Sequence, residues 1–502
     1  MSTSYITDHW SYKKLLVQNG DLKMEQKNQN IIYKNKNIIS IIVLIGILMS
    51  ILDGYMVTIA LPTITTYFNI NVAISQWIIT AYLVVMTALF IFFGKLSEYT
   101  GKTKLFIIGW ILFTLSSLGC GLSPGIELLI IFRITQAIGA SMIAGVSGAI
   151  LFHAFPPNEI GKVMGYFGAT IAIGTLIGPG LGGLITNFIG WQYIFLVNVP
   201  LGIILIIGAK KYLKIPENTS KNLNIDWLGT ITFILSITSL LMFCGEIANN
   251  ISITIPLIIY GLIFLISSII FILQESKSKN PMLDLSIFKN REFSLPVLSV
   301  LIFSIALNVA IIIGPFYFQG VMEYNPSQIG LLFMAVSLAM AISSPIGGKL
   351  YDKNNSKYVA ATGLVISAVS FILLAYAYLT INLLLMIIAL ILWGIGQGLF
   401  TSPNSAETMS ALPGEQTAIA SSVSTTVKSL GGALGASFVS IFLTISLTTS
   451  GFNGNVLSAN KLLLSNSISI IMFVTGILCI IATIVTVQKR NTQINSINSK
   501  EN

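Results

Sequence analysis

Charge is the scarcest property of this chain. Asp, Glu, Lys and Arg make up 9% of its 502 residues, against roughly 25% in ordinary soluble domains. A chain this poor in charge cannot cover a water-soluble globule, so that class is excluded. Histidine is nearly absent. His9 and His153 are the only two, and both lie outside the apolar runs. No intramembrane histidine cluster, paired catalytic acids or nucleotide-binding loop is visible, so the sequence points away from an enzyme and calls for no cofactor or metal. Cysteine is also rare. Cys120, Cys244 and Cys479 sit far apart in apolar segments, where they read as inert packing residues rather than a disulfide or metal set.

What is abundant is apolar length. Hydrophobic residues make up 54% of the chain, and runs of about 20 of them recur, enough to cross a bilayer as helices. There are fourteen such runs, the first beginning near residue 38 and the last near 466. The net charge of +9 could suggest nucleic acid, but its placement argues for a membrane and against a nucleic-acid partner. With the N-terminus inside, 24 of the 27 Lys and Arg fall in cytoplasmic segments. External loops hold Lys461 alone, and the apolar runs hold Arg133 and Lys428. This positive-inside bias predicts cytoplasmic termini. Residues 1–37 are polar and basic, with no apolar core or cleavage site, and predict no signal peptide.

The most distinctive stretch is Gly174-Thr-Leu-Ile-Gly178-Pro179-Gly-Leu-Gly182-Gly183. Gly174, Gly178 and Gly182 recur every four residues, on one helix face with no side chain to hold a neighbour away. Pro179 removes a backbone hydrogen bond and permits a bend. The expectation is a smooth helix packed closely on another helix of the first bundle.

Two charges stand where charge is costly. Asp53 lies nine residues before Pro62, roughly 13 Å from the helix end and near mid-membrane. A carboxylate there must be protonated, paired or facing a watery cavity. Arg133 lies roughly 9 Å below the outer surface. It keeps its proton and needs an acid, a cavity or carbonyls; Gln136 follows one turn on. Either a fixed ion pair or a proton or cation site accounts for Asp53. Lys428, inside the thirteenth run, reads as an anchor, a substrate gate or a group displaced by protons. Trp191 and Tyr193 suit an interfacial belt.

The chain repeats itself. Gly348-Lys349-Leu350 and Asp352 echo Gly94-Lys95-Leu96 and Glu98 at a spacing of 254, while Pro413 echoes Pro156, and Gly431 and Gly435 echo Gly174 and Gly178, at 257. Two six-helix halves with a helix pair between them follow. The expected boundaries are a basic cytoplasmic tail at 1–37, a first bundle at 38–209, a linker with two added helices at 210–292, a second bundle at 293–488 and a tail at 489–502. The position matching Asp53 is expected near Asn308, and that matching Arg133 at Leu390.

Taken together, these motifs resemble the fourteen-helix drug–proton antiporters of the major facilitator superfamily, over about residues 38–488. The first-helix Leu-Asp…Ala-Leu-Pro run, the Gly-Pro helix and the Trp191-x-x-Ile-Phe-x-x-Asn198-x-Pro200 run carry the likeness. Arg133-x-x-Gln136 resembles the family's helix-four pattern, with Ala137 where Gly is usual. The turn with Gly94, Glu98, Gly101, Lys102 and Lys104 resembles the family's cytoplasmic loop motif, with Glu98 for the usual Asp and with Tyr99 and Thr103 where bases are common.

The resemblance implies an all-α membrane protein in the plasma membrane, working as a monomer, that exports lipophilic and often cationic small molecules in exchange for protons. Asp53, Arg133, Gln136 and Lys428 are the expected coupling residues. Tyr55, Met56, Asn308, Phe316, Tyr317 and Phe318 are candidate cavity residues. A narrow exporter of an endogenous metabolite, peptide or lipid, and a proton-coupled importer, are alternatives.

Overall fold

The computed structural model describes residues 4–155, 160–213, 226–249, 254–278, 283, 285–354, 358–412, 417–452 and 456–498. Side chains of residues 35–488 are described with some exceptions, among them Glu98 and Asp352. Pro156, Pro413, Glu98 and Asp352 therefore lie outside the residues or side chains described.

Among the described residues, fourteen helical spans are long and apolar enough to cross a membrane, the sixth counted from Tyr193. We number them α1 (Ser4–Tyr67), α2 (Trp77–Thr100), α3 (Lys102–Gly121), α4 (Ile126–Ala154), α5 (Ile160–Phe188), α6 (Asn198–Tyr212), α7 (Trp227–Asn249), α8 (Ile255–Lys277), α9 (Arg291–Gly320), α10 (Pro326–Asn354), α11 (Tyr358–Thr380), α12 (Leu383–Ser410), α13 (Thr417–Thr449) and α14 (Lys461–Asn498). One-turn helices, Val72–Ser75 and Tyr193–Leu196, lead into α2 and α6. Short polar residues start several helices. Asn71, Asn290 and Asn382 accept backbone N–H bonds from Ile74, Glu292 and Leu385, filling donors that a helix start leaves open. Gly101 separates α2 from α3 at φ +96°, a conformation that glycine adopts without strain.

The packing repeats with a shift of eight helices. α1 packs on α5 as α9 packs on α13, α2 on α4 as α10 on α12, and α3 on α4 as α11 on α12. The halves meet along two related seams, α5 with α10 and α2 with α13. The inserted helix α7 lies against α2 and α13, with α8 behind it. It therefore covers one seam, while among the described elements no further helix lies over the other.

The two ends of the bundle differ. At the end reached by Tyr67, one continuous apolar core runs through both halves, joining Ile59, Leu61, Ile64 and Phe195 to Ile313, Phe316 and Phe333. At the end bearing the termini, each half keeps its own core. Ile39, Phe106, Trp110 and Ile150 belong to the first, and Ile287, Phe293 and Val423 to the second. The halves are thus sealed at the loop end and parted toward the tail end. A side chain placed on Gly54, midway along this axis, would meet nothing within 4 Å.

Superposing the helix contacts corrects one register. Gly174 faces Ile51 and Leu48, and Gly178 faces Tyr55 and Leu52. Their counterparts, Gly431 and Gly435, face Ser304 and Leu301, then Asn308 and Ile305. Asn308 therefore matches Tyr55, and the residue matching Asp53 is Ala306. The loop lengths between helices differ in the two halves, so one spacing does not serve every helix.

Candidate functional site

Asp53 and Arg133 meet in the interior of the first half. Both are essentially sealed, at 0% and 1% exposure. Arg133 Nη1 donates to Asp53 Oδ2 at 2.6 Å and to Gln136 Oε1 at 2.6 Å. Its Nε donates to the Ile78 carbonyl at 3.1 Å. Gln136 Nε2 donates to Asp53 Oδ1 at 3.1 Å and to Ser117 Oγ at 2.8 Å. Asn198 Nδ2 reaches the same Oδ1 at 3.0 Å. The guanidinium lies 4.1 Å from the Tyr82 ring centroid and 5.7 Å from that of Phe195.

Elements α1, α2, α3, α4 and α6 each contribute a polar group to this network. The spacing of Arg133 and Gln136, one helical turn apart, puts both on the same face of α4. A charge removed from water here costs several kcal/mol unless its partners satisfy it. Three donors on Asp53, a second Arg133 Nη1 donation to Gln136 and aromatic faces around the cation supply that compensation. Asn198, Ser117 and Tyr82 were not singled out from sequence. Asn198 was visible within the Trp-x-x-Ile-Phe-x-x-Asn-x-Pro run; Ser117 and Tyr82 carried no distinguishing pattern.

Lys428 does not join this network. It is exposed, deep within the fold. No acid lies within ion-pair distance of it among the described residues. One turn further along α13, Gly432 faces Leu83 of α2 and Asn308 of α9. Lys428 shares that face, so it points into the seam between the halves, on the tail-end side of their contact.

The glycine helix is bounded on two sides. Cβ atoms built on Gly174, Gly178 and Gly182 would come within 2.8 Å of Ile51, 2.8 Å of Tyr55 and 2.6 Å of the Met56 backbone, all on α1. On another face, Gly183 abuts the Pro326 carbonyl of α10, and Gly330 of α10 abuts the Pro179 carbonyl in return. Ser327 and Ser337 of α10 donate to the Gly183 and Thr175 carbonyls at 3.3 and 2.6 Å. So α5 makes close backbone contact with its own bundle and with the opposite one.

The turn between α2 and α3 also acts locally. Gly94 lies against Gly145 of α4. Lys95 helps hold the carboxyl of Asp226, at the start of α7, below its usual range. Burial pushes that carboxyl up, but hydrogen bonds from the Gly229 N–H and the Gln274 amide outweigh it, with the Lys95 charge adding to them. Lys102 is half-buried and Lys104 exposed.

The expected aromatic cavity is not open in this structure. Phe316, Tyr317 and Phe318 are fully buried. Tyr317 stacks on Tyr378 at 3.9 Å and donates to its carbonyl at 2.9 Å. Met56 is buried against Gly182. Tyr55 and Asn308 alone of that set are partly exposed. Trp191, expected at an interface, is buried edge-on among Tyr67, Phe68 and Phe195, whereas Tyr193 is exposed.

Comparison with known proteins places the chain. The profile of the Major Facilitator Superfamily matches residues 43–436. The chain is 34% identical over 416 residues to the riboflavin transporter RibZ of Clostridioides difficile, covering 83% of this chain and 90% of that protein. It is 31% identical over 396 residues to the multidrug transporter protein MdtP of Bacillus subtilis, covering 78% and 72%. Among solved structures, a bacterial homologue of the human lysosomal transporter Spinster shares the fold, with TM-score 0.67 at 14% identity over 92% of this chain and 98% of that one. With twelve apolar helices in two repeated halves, an inserted helix pair and a family match across most of its length, the chain is a multi-pass membrane protein that belongs to the Major Facilitator Superfamily of transporters.

Proposed function

We propose that this protein is a proton-coupled antiporter of the plasma membrane that exports lipophilic small molecules by alternating access, with both termini in the cytoplasm. The observation that carries the reading is the sealed Asp53–Arg133–Gln136–Asn198 network, a titratable acid held between helices of a half that must rock. Its protonation removes the attraction that holds Arg133 and Gln136 in place. Loosening α4 and α6 against α1 then couples the proton to movement of the bundle. The positive-inside bias supports cytoplasmic termini. On that orientation the present state is closed to the outside and parted toward the cytoplasm. Relatives named as multidrug proteins support export of varied compounds.

A second reading concerns charge. Asp53 is occupied by Arg133, while Lys428 is exposed in the seam. In this state the parted side offers a cation rather than a free acid. This favours a neutral or anionic substrate rich in acceptor atoms over a cationic drug, and the relative named as a riboflavin transporter fits that narrower, metabolite-like class.

The test is a substrate-panel efflux assay in proteoliposomes, with and without a pH gradient and without ATP. Wild type should move at least one compound against its gradient only when protons flow the other way. Asp53→Asn should insert and fold but lose gradient-driven transport. Undiminished gradient-driven efflux in that variant removes Asp53 from the mechanism.

A further inference from the structure

A cavity lies between the first half and the inserted helix pair. It measures about 430 Å³, and Trp77, Val85, Ile134, Met242, Glu246 and Tyr260 are among the residues lining it. α2, α4, α7 and α8 all contribute, so the inserted pair creates it. Its walls are largely apolar, with one carboxylate. The Thr254 hydroxyl donates to Glu246 Oε1 at 2.9 Å. Thr254 also caps α8 by accepting the Leu257 N–H at 3.3 Å. The cap and the carboxylate are thus fixed together at the rim. Gly245 lets the Trp77 ring lie against α7, since a Cβ there would come within 2.7 Å of Trp77 Cζ2.

Charge at this end of the molecule is acidic. Of the residues in or beside the loop-end connections, Glu127, Glu246 and Glu323 are acids and Lys461 is the one base. An apolar chamber with a carboxylate at the rim and two aromatic rings in its wall suits one kind of ligand: a cationic head on an apolar body. The carboxylate supplies charge attraction and the Trp77 and Tyr260 faces supply cation–π contact.

We propose that this chamber is a binding site for amphiphiles bearing an ammonium group, with Glu246 as the charge-recognising residue. A free lipophilic amine and an ethanolamine-headed lipid share this chemistry. The site is separate from the central seam and follows from the helix insertion, which is packed here against α2 and α13.

The site is testable by quenching of Trp77 with a brominated dodecyltrimethylammonium probe. The full chain is held in nanodiscs of phosphatidylcholine alone. Wild type should show a saturable quenching component that Trp77→Phe removes. Glu246→Gln, which keeps the shape, should raise its midpoint about tenfold. Gly245→Ala, which pushes the Trp77 ring into the chamber, should abolish the component while the thermal melt stays near wild type. Brominated dodecyl sulfate should give no saturable component. Adding phosphatidylethanolamine to the nanodiscs should raise the midpoint if the lipid headgroup is the resident, and leave it unchanged if the site prefers free amines. Either result identifies the source. No saturable component in wild type, or an unchanged midpoint in Glu246→Gln, overturns the proposal.

Discussion

The two halves share a fold and differ at its centre. In the first, Asp53, Arg133 and Gln136 form a buried ionic network. In the second, the matching residues are Ala306, Leu390 and Trp393, and all three are buried. Trp393 meets Phe333 and Phe371 edge-on, with centroids 6.1 and 5.4 Å away. One scaffold thus accepts either an ion pair or an aromatic cluster at the same depth. Folding alone does not require the charges. The apolar version has no group to titrate at this depth, so on the proposed mechanism the first half is where a proton would act.

Breaking that contrast gives the largest expected effect. Arg133→Leu copies the second half at one position and strands Asp53 without its cation. It should cost about 3–5 kcal/mol of stability and abolish transport. Adding Asp53→Ala copies the second half further. The double variant should recover most of the lost thermal stability yet remain inactive, as melting curves and efflux on one preparation would reveal. Recovery of proton-driven transport in the double variant would mean that the network serves folding alone. Arg133→Lys should retain partial activity, since a point charge lacks the guanidinium fork.

The glycine helix sharpens the comparison within and between the halves. Gly178→Val forces a branched side chain into Tyr55 of the same half, an overpacking of about 1–3 kcal/mol. Turnover should fall severely or protons should leak, while Ile177→Val, at an exposed position, should be mild. Gly183→Val instead presses on Pro326 of the other half. It should leave each bundle intact and disfavour the sealed loop end. Distances measured between spin labels across that end should lengthen in the Gly183 variant and stay near wild type in Ile177→Val.

A smaller effect is expected at Lys428, which has no charged counterpart in the first half; the matching residue is Ile171. Lys428→Ala should leave stability nearly unchanged, because the side chain is exposed and unpaired among the described residues. It should weaken transport of anionic or acceptor-rich compounds several-fold more than that of cationic ones. Equal losses across both classes would assign Lys428 to coupling instead of selectivity. Least of all should follow from Lys461→Ala. That ion pair with Glu323 is 53% and 72% exposed, and water screens such pairs almost completely. Transport and melting should both match wild type.

Much of this was legible in the residues. Fourteen apolar runs marked the helices, and an acid and a base inside such runs marked themselves, because burying either without a partner is so costly. Glycines four apart on one face announced a close helix contact, and α1 is that partner. Asn198 was harder to see, because a neutral amide in an apolar run has several satisfactory fates. The match of Asp53 to Asn308 failed because helix-to-helix spacing drifts with loop length. Phe316, Tyr317 and Phe318 are all buried in this state. Three consecutive residues fan out about 100° apart around a helix, so they cannot all face one cavity. How far the halves part was not legible at all, since both states of a rocking protein are written in the same residues.

The crowding of Asp53 carries a kinetic consequence. Its two oxygens already receive bonds from Arg133, Gln136 and Asn198, and none of its surface meets solvent. A proton therefore cannot simply land on it from bulk water. A neighbour must first let go, and the rate of uptake becomes the rate of that release. Following a pH jump, protonation should be a slow step with a rate that stops rising as buffer concentration increases. The carboxyl then behaves as a latch with its own clock. On the proposed mechanism the opening that admits a proton is the same rearrangement that moves the helices, so no proton would slip through uncoupled between turnovers.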